Sequence, residues 1–511
     1  MEPTSRDEKI CPIIILTFIV THRDLSRQID IMKKSIIIII ILFGVLVQAQ
    51  NKKWTLKECV EYALKNNISI KQSELDLEAT DAERLAALGN WLPTLNANAN
   101  VAENTGLSFN PTTNQPETIT FLSSTGSINA GYTLFDGLRN IRQSQRAKIS
   151  QLASQYRLSK MKDDISLFVA NSYLQVILTK ANLKVLLSQN EVTKKQIKQT
   201  EELVDAGVLP QGDLLDIKAT DANELQAIVA GENSIQISLI SLAQLLLVKD
   251  YENFDIEDEG YNIVNVDIAG KDVNEIISAA KEVRSEIKIA EQNVELAMKD
   301  LQIAKSSYMP RLSAFFGYNT RFTNSSSFTQ VIDSDNPTIT RQIGFVEGTG
   351  QAVLSEVPNV NTVEVGYDSF LNQLSLNDGV SYGLSLNIPI LNGFSTKSNV
   401  MRSKVNLERS QYQLEQASLD VESSVYQAFI DAEGSLKSYD ASLTALESQE
   451  LAYAYAKERF DVGIINAFDF SQSKLRYDNA LINSNRAKYD YIFKLKVLEL
   501  YFGIPAIDLK F

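Results

Sequence analysis

Two hydrophobic periodicities alternate along this chain. Apolar residues fall at helical spacing from Thr55 to about residue 87, which predicts a helix. The segment Trp91-Leu92-Pro93 ends it, because proline cannot continue a helix and restricts the residue before it. Strict alternation follows, which predicts a strand with one apolar and one polar face. Its apolar members are Leu95, Ala97, Ala99 and Val101, and its polar members are Thr94, Asn96, Asn98 and Asn100.

A second alternating run reaches Phe135, after a loop expected near residues 103–120. Beyond it a helical pattern continues to Ala206 with neither proline nor internal glycine. A helix of roughly 70 residues is about 100 Å long, because each residue adds 1.5 Å. That length exceeds the diameter of an ordinary domain. The chain then turns near Gly207, and a shorter helix is predicted to return over residues 213–248.

The whole order of elements occurs a second time, displaced by about 256 residues. A helix is predicted over residues 273–307, strands follow it, and a second long helix runs from about residue 392 to 460. A repeat of this size indicates a duplicated domain half, because solenoid motifs are much shorter. The matched positions are Asp136-Gly137 with Asn392-Gly393, Gln155-Tyr156 with Gln411-Tyr412, Asp205 and Gly207 with Asp461 and Gly463, and Asp213 with Asp469.

The N-terminus carries a secretory signal pattern. Met32-Lys33-Lys34 precedes an apolar run over Ile36–Val47, which is too short to span a bilayer that needs about 20 residues. The mature protein is therefore expected to lie outside the cytoplasm. The predicted segments are an upstream extension (1–31), a signal peptide (32–50), a first half (51–248), an irregular connector (249–272), a second half (273–504) with a long polar loop at 322–378, and a C-terminal tail (505–511).

Composition excludes several classes of function. The chain has 49 basic and 63 acidic residues and a net charge of -14, which disfavours a nucleic-acid partner. The only histidine, His22, precedes the signal sequence, so the mature chain has no imidazole for a catalytic triad or a metal site. Cys11 lies in the same leader, and Cys59 is expected to be a lone buried thiol. Neither a phosphate-binding loop nor a nucleophile motif is present, so we expect no enzyme and no cofactor.

The long helices and the strands both require neighbours. In the second helix Leu407, Leu414 and Val421 recur at intervals of seven, which is typical of a coiled-coil seam. Four strands with one apolar face are too few to close a membrane barrel, and hydrocarbon does not tolerate an open sheet edge. Strands from other copies of the chain would close it. The alternative is a small soluble sheet that caps a helical bundle.

The residues at the element boundaries carry a family resemblance. The chain resembles the TolC family of outer-membrane efflux proteins over residues 52–508. Each motif is common by itself, but their order, spacing and duplication are specific. The motifs are Trp54-Thr55-Leu56-Lys57-Glu58, Ala63-Leu64-Lys65-Asn66-Asn67, Leu92-Pro93, Met309-Pro310, Leu134-Phe135-Asp136-Gly137, Pro389-Ile390-Leu391-Asn392-Gly393, Leu203 with Gly207, and Phe460-Asp461-Val462-Gly463.

This resemblance implies a mainly α fold with a membrane β-barrel portion. Three chains would each contribute four strands to one twelve-stranded barrel in outer-membrane lipid, and long helical hairpins would form a periplasmic α-barrel. The implied homotrimer is a passive exit duct of a tripartite efflux or type I secretion system, served by an inner-membrane pump and a periplasmic adaptor protein. An alternative from another class is a structural or adhesive envelope spacer that conducts nothing.

The resemblance also implies roles for residues at the two helix tips. Adaptor hairpins would dock there, although a purely structural turn is the alternative. The candidate docking residues are Gly207, Val208, Leu209, Gly463, Ile464 and Ile465.

Acidic residues shortly after each tip are candidates for a periplasmic constriction. Asp469 matches the family position, and Asp213 and Asp216 stand in the first copy. Around a three-fold axis such carboxylates would bind polyvalent cations. Helix capping or interaction with the helix dipole is the alternative role. The sequence departs from the family pattern at Gln472, one turn after Asp469, which is not acidic.

Overall fold

A computed structural model describes residues 53–111, 113–258, 260 and 271–504. The expected extension, signal peptide and C-terminal tail lie outside the described residues, as do Cys11 and His22. The first half of the chain contains these elements in order: β1 (Lys53–Trp54), α1 (Leu56–Asn66), α2 (Ile68–Gly89), β2 (Thr94–Asn110), β3 (Gln115–Phe135), α3 (Arg139–Asp205) and α4 (Gln211–Leu246).

The second half repeats this order with insertions between its strands. Its elements are β4 (Asp255–Ile256), α5 (Val273–Val283), α6 (Ser285–Ser306), β5 (Arg311–Thr323), β6 (Ser327–Ile332), β7 (Thr338–Phe345), β8 (Ala352–Pro358), β9 (Val360–Val365), α7 (Phe370–Leu376), β10 (Gly379–Asn387), α8 (Ser395–Asp461) and α9 (Ala467–Phe502). Strand β4 lies in the expected connector 249–272, of which residues 259 and 261–270 are outside the described residues.

Corresponding helices of the two halves have equal lengths. Helices α1 and α5 have 11 residues each, α2 and α6 have 22, α3 and α8 have 67, and α4 and α9 have 36. The long helices are therefore about 100 Å each at 1.5 Å per residue. None of the described helices is both long and apolar enough to cross a membrane.

Local sequence explains how the first helices begin and end. Thr55 and Glu58 form a capping box, in which each backbone N–H donates to the other side chain at 3.2 Å. Helix α1 ends at Asn67, where the amide side chain accepts from Ser69 N at 2.9 Å and restarts the chain as α2. The helix expected from Thr55 to about residue 87 is therefore two helices, with a break at Asn67.

Four long strands form one antiparallel sheet in the order β10-β5-β3-β2. The strands have 9, 13, 21 and 17 residues in that order, and β2 and β10 are the two edges. Strand β3 pairs with β5 only from Ser123 to Phe135, whereas it pairs with β2 from Gln115 to Gly131. The hairpin of β2 and β3 therefore extends beyond the four-stranded part as a two-stranded ribbon.

Two segments expected as loops contain regular structure. Most of residues 103–120 belongs to β2 and β3. The alternation of this segment is too weak to predict a strand, but the pairing of β2 with β3 holds both extended. The polar segment 322–378 contains β6 to β9 and α7, with β6 paired to β9 and β7 paired to β8. The nested pairing makes this insertion an antiparallel ribbon between β5 and β10.

The four-stranded sheet has one apolar and one polar face. Directly opposite residues of antiparallel strands lie on the same face. On the apolar face, one row across the sheet joins Leu384, Ala314 and Tyr132, and a neighbouring row joins Tyr382 and Phe316. On the polar face, one row joins Ser381, Gly317, Asn129 and Asn96. The apolar face is exposed in the single chain, since Tyr382 is 81% and Leu384 67% exposed. Both edges of the sheet are unpaired within the described chain.

The chain divides into two compact units that do not follow the sequence halves. We call them the helical unit (the described residues of Met1–Lys71, Met161–Ala280 and Ser423–Phe511) and the strand unit (Gln72–Lys160 and Lys281–Glu422). Each unit therefore contains segments from both halves of the sequence. In the helical unit β1 pairs in parallel with β4, and the buried Tyr173 hydroxyl donates to Glu257 O at 2.6 Å. Cys59 is fully buried there, as expected.

Candidate functional site: the helix tips and a buried charge cluster

The first tip is a Schellman turn that closes α3. Gly207 has φ +74°, which is the left-handed conformation that glycine adopts most readily. Gly207 N donates to Val204 O at 2.9 Å, and Val208 N donates to Leu203 O at 2.9 Å. These bonds satisfy carbonyl groups that the helix end leaves without partners. Helix α4 begins four residues later, after Pro210.

The second tip repeats this geometry at the end of α8. Gly463 has φ +76°, and Ile464 N donates to Arg459 O at 2.8 Å. Gly463 N donates to Phe460 O at 2.9 Å. Here the next helix has a side-chain cap, because Asn466 Oδ1 accepts from Asp469 N at 2.8 Å. The two halves therefore reach the same turn with different caps.

Apolar side chains project from both turns. Val208 is 66% and Ile464 65% exposed, whereas Leu209 and Ile465 are half-buried. Neither glycine has a neighbouring atom within 4 Å of the place where a Cβ would stand, so their surroundings are open. Each tip thus presents exposed aliphatic surface beside the turn, from Val208 at the first tip and from Ile464 and the 69% exposed Val462 at the second. This surface is available to a partner.

Asp213 and Asp469 occupy equivalent places, as the third residues of α4 and α9. Neither is the cap residue, which is Pro210 in one helix and Asn466 in the other. An acidic side chain in the first turn still interacts favourably with the helix dipole. Asp216 is exposed one turn further along α4. Among the described residues, the side chains of these three aspartates form no salt bridge.

A buried lysine that was not among the predicted site residues lies between the two hairpins. Lys474 of α9 is only 2% exposed. Its Nζ donates to Gln189 O at 2.8 Å, to Thr193 Oγ1 at 2.5 Å and to Glu224 Oε1 at 2.6 Å. All three ammonium donors are satisfied, which a buried charge requires. The cluster joins α3, α4 and α9 within the helical unit.

Asp478 lies one turn after this lysine and is incompletely paired. Its Oδ1 is buried and has no hydrogen-bond partner among the described residues. Burial raises the pKa of the Asp478 carboxyl from its ordinary value of 3.8 to about 7; Lys474 opposes this shift, and Glu224 adds to it. Tyr453 and Tyr477 stack beside the cluster with ring centroids 5.3 Å apart. Burial raises the pKa of both tyrosines, and the Asp478 charge adds to the effect.

The sequence does contain a signal for this cluster. Ala467, Phe470 and Lys474 are spaced by three and four residues, so the lysine occupies a core position of the helix. In α4 the buried Ile217 and Ile228 flank Glu224 at similar spacing. Charged residues at core positions of two helices predict a buried pair, but only the tertiary structure identifies the partners.

The chain matches the family described as outer membrane efflux protein over residues 59–246 and 349–503, which is more than half of its length. The chain belongs to this family. Its location in the outer membrane, with the helical part in the periplasm, and its role as the outer-membrane channel of an efflux system follow from that membership.

Individual relatives agree with the family assignment. The outer membrane protein TolC of Vibrio cholerae is 23% identical over 368 residues, which cover 71% of this chain and 72% of the relative. The CmeC outer membrane channel of Campylobacter jejuni superimposes with a TM-score of 0.68 at 17% identity, over 90% of this chain and 86% of that one. VceC of Vibrio cholerae gives 0.67 at 15% identity, over 89% and 96%. These similarities confirm the expected fold class. In this chain the long helical hairpins accompany a sheet that is not closed.

Proposed function

We propose that this outer membrane efflux protein is the passive exit duct of a tripartite efflux or type I secretion system. Substrates would enter from an inner-membrane pump coupled through a periplasmic adaptor and leave at the cell exterior. The observation that carries this proposal is a two-faced sheet with two open edges, continuous in sequence with helices of 67 residues. An apolar outer face suits lipid and a polar inner face suits an aqueous lumen.

The open sheet edges favour a homotrimer. Each chain supplies four long strands whose edges, β2 and β10, are unpaired, and unpaired backbone groups are not tolerated in hydrocarbon. Pairing β10 of one copy with β2 of the next would remove both edges. Twelve strands from three copies are enough for a barrel with an aqueous interior.

Helix α8 supports the same assembly through two apolar seams. Leu407, Leu414 and Val421 form the seam expected from the sequence, and Val421 is buried within the chain. A second seam at intervals of seven remains exposed: Val405 is 55%, Tyr412 65% and Leu419 54% exposed. A helix in a single-layered cylindrical wall needs one seam for each neighbour. The exposed seam is therefore suited to a helix of the next copy.

The helix tips suit an adaptor. Val208 and Ile464 are exposed aliphatic residues on turns held by backbone hydrogen bonds, and the neighbouring Leu209 and Ile465 are half-buried. A small rigid apolar surface next to a polar helix end favours docking of another helical hairpin. We assign Gly207 and Gly463 the role of holding these turns.

Asp469 is our candidate for the narrowest part of the periplasmic entrance, with Asp213 and Asp216 as further members. Asp469 is exposed, and its side chain forms no salt bridge among the described residues. Three symmetry-related carboxylates near one axis would attract polyvalent cations. The position of Asp469 in the first helical turn is compatible with both this role and dipole stabilisation.

Planar-bilayer recording of the purified full-length protein tests the proposal. We expect discrete conductance steps, since a duct needs an open lumen and an adhesive or structural spacer does not. Block by a trivalent cation added on the helical side should weaken in Asp469→Ala and in a triple variant that also lacks Asp213 and Asp216. Asp431→Ala, which removes an exposed carboxylate from the middle of α8, is the matched control. Trimeric protein without conductance would contradict the duct, and unchanged block in the triple variant would contradict the constriction.

A further inference from the structure

A concavity of about 670 Å³ lies in the strand unit, where the strands end and α3 begins. Its volume is within the range of roughly 300–1,000 Å³ that is typical of sites for small ligands. The end of α2, the start of α3, the end of α6 and the ends of four strands surround it. None of the roles assigned above to the helix tips or the buried cluster involves this place.

The strand residues that line the concavity lie on the polar face of the sheet, except Tyr132. Thr94 pairs with Gly131, Thr133 pairs with Ser313, and the registers place these residues with Asn96 and Ser385 on the face opposite to Leu95 and Leu386. In a membrane barrel the polar face lines the lumen. If the chain forms the proposed duct, the concavity therefore faces the transported substrate and not the lipid.

Two exposed arginines line the concavity. Arg311 Nη2 donates to Thr133 Oγ1 at 3.1 Å, which fixes the direction of its guanidinium group. Arg139 stands at the first position of α3. Within the described part of the chain neither arginine forms a salt bridge. The single lining carboxylate, Asp136, is engaged with the helix start, because its Oδ2 accepts from Asn140 N at 2.9 Å.

This local excess of positive charge contrasts with the net charge of -14 of the whole chain. Guanidinium groups bind carboxylate and sulfate through paired, charge-assisted hydrogen bonds. The lining also contains the Ser313 hydroxyl and the side-chain amides of Asn90 and Asn140. Each amide donates one N–H within the protein, to Gln143 Oε1 at 3.1 Å and to Asn90 O at 3.0 Å, and keeps a second N–H for a ligand. These groups together form a donor-rich surface that suits an oxyanion.

Apolar side chains stand beside the arginines. Leu92 is 68% and Met309 47% exposed, and both line the concavity together with Pro389. A ligand that contacts both surfaces needs an anionic group joined to an apolar body. A simple inorganic anion would use only the donors and would leave the apolar side empty.

We infer that this concavity binds the carboxylate or sulfate group of an anionic amphiphile on its way through the duct, with Arg139 and Arg311 as the residues that select its charge. The inference rests on the proposed function, since it places the site in the lumen. Each copy of the proposed trimer would add one such site at the same level. Substrates of this class would be retained briefly where the helical tunnel joins the barrel.

Single-channel recording with sodium cholate as the probe tests this inference. We expect cholate to cause brief current blockades in the unmodified protein, and octyl glucoside, which is uncharged, to cause fewer or shorter ones. The double variant Arg139→Gln/Arg311→Gln should shorten the cholate blockades at least tenfold, since about tenfold is the scale of a single lost charge-assisted contact. Arg402→Gln, which removes an exposed arginine of α8 outside the concavity, should leave them unchanged.

Binding in nanodiscs keeps the test decisive whether or not the channel conducts. Calorimetric titration of cholate into the full-length protein should give a dissociation constant that rises at least tenfold in the double variant. If the double variant does not fold, Arg139→Gln alone should raise it about tenfold. Equal affinity of the unmodified protein and the variants for cholate, or equal blockade by octyl glucoside, overturns the inference.

Loss of cholate binding when phosphatidylglycerol replaces phosphatidylcholine would assign the site to a lipid headgroup and also overturn it. Absent conductance with retained, arginine-dependent binding would instead count against the duct.

Discussion

Single residues decide the chemistry of the contact between the two helical hairpins. Lys474 is accepted in the interior because Gln189, Thr193 and Glu224 supply an acceptor for each of its protons. Removal of one member of such a group leaves an uncompensated charge, which typically costs about 3–5 kcal/mol. Asp478 has no such complement, since its Oδ1 is buried without a hydrogen bond in the described structure.

The Asp478 carboxyl should make the stability of the helical unit depend on pH. Its folded-state pKa of about 7 lies above the ordinary value of 3.8, so its ionised form is less favourable in the folded protein. The stabilisation is complete below pH 4 and is lost as the pH rises through 7. We expect Asp478→Asn to melt at a higher temperature than the unmodified protein at pH 8.5, and the difference to be clearly smaller at pH 5.5, because it vanishes only below about pH 4.

Thermal denaturation followed by circular dichroism in one detergent measures this dependence. Asp490→Asn is the control, because Asp490 forms an ordinary exposed pair with Lys494 at 3.2 Å. Its melting temperature should differ little from that of the unmodified protein at either pH. Parallel curves for Asp478→Asn and the unmodified protein from pH 5.5 to 8.5 would contradict the burial effect.

At the scale of elements, the duplication produces equal helices in unequal surroundings. Gly137 and Gly393 precede the two long helices and have φ angles of +72° and +59°. A Cβ on Gly137 would lie 2.5 Å from Met309 Cβ and 2.8 Å from Ser306 O, whereas nothing lies within 4 Å of the same place at Gly393. The first junction is packed against the end of α6, and the second is open.

This pair separates backbone strain from steric crowding. We expect Gly393→Ala to destabilise the protein by about 1–2 kcal/mol, the usual effect of a side chain in the left-handed conformation. Gly137→Ala should cost clearly more, since Met309 and backbone atoms must also move. Gly434→Ala, inside α8 and in open space, should be neutral or stabilise by about 0.5–1 kcal/mol.

Melting temperatures and the yield of folded protein from membranes measure the three effects in parallel. From the most to the least stable variant, the expected order is Gly434→Ala, Gly393→Ala and Gly137→Ala. Equal losses for the two junction variants would show that the contact with Met309 has no energetic importance.

At the scale of the whole molecule, the surfaces that the chain leaves uncovered define its assembly. The exposed seam of α8 and the two sheet edges are costly in a single copy, because apolar surface and backbone groups meet water or lipid without partners. We expect Val405→Glu/Tyr412→Glu to reduce the fraction of trimer strongly, since it would place two carboxylates in a packed seam in each copy.

Size-exclusion chromatography with light scattering, corrected for bound detergent, measures the oligomer. Asn406→Glu adds a charge to an exposed polar position next to the seam and should leave the trimer intact. A fully trimeric double variant would mean that the seam faces solvent in the assembly.

The amino-acid sequence by itself determined the helices, the tips and the family of this protein. The long helices follow from an apolar periodicity without proline, and the turns at Gly207 and Gly463 from glycine at a helix end, which are local properties. The burial of Cys59 followed from the same periodicity. Local signals of this kind need no knowledge of distant partners.

Only the tertiary structure decided which distant residues meet. The ribbon in segment 322–378 depends on pairing between strands that carry weak alternation, so its sequence resembles a loop. The partners of Lys474 lie on two other helices, and the concavity of Arg139 and Arg311 forms where helices and strands of both halves converge. Periodicity specifies the face on which a side chain lies; the packing of the faces specifies what it contacts.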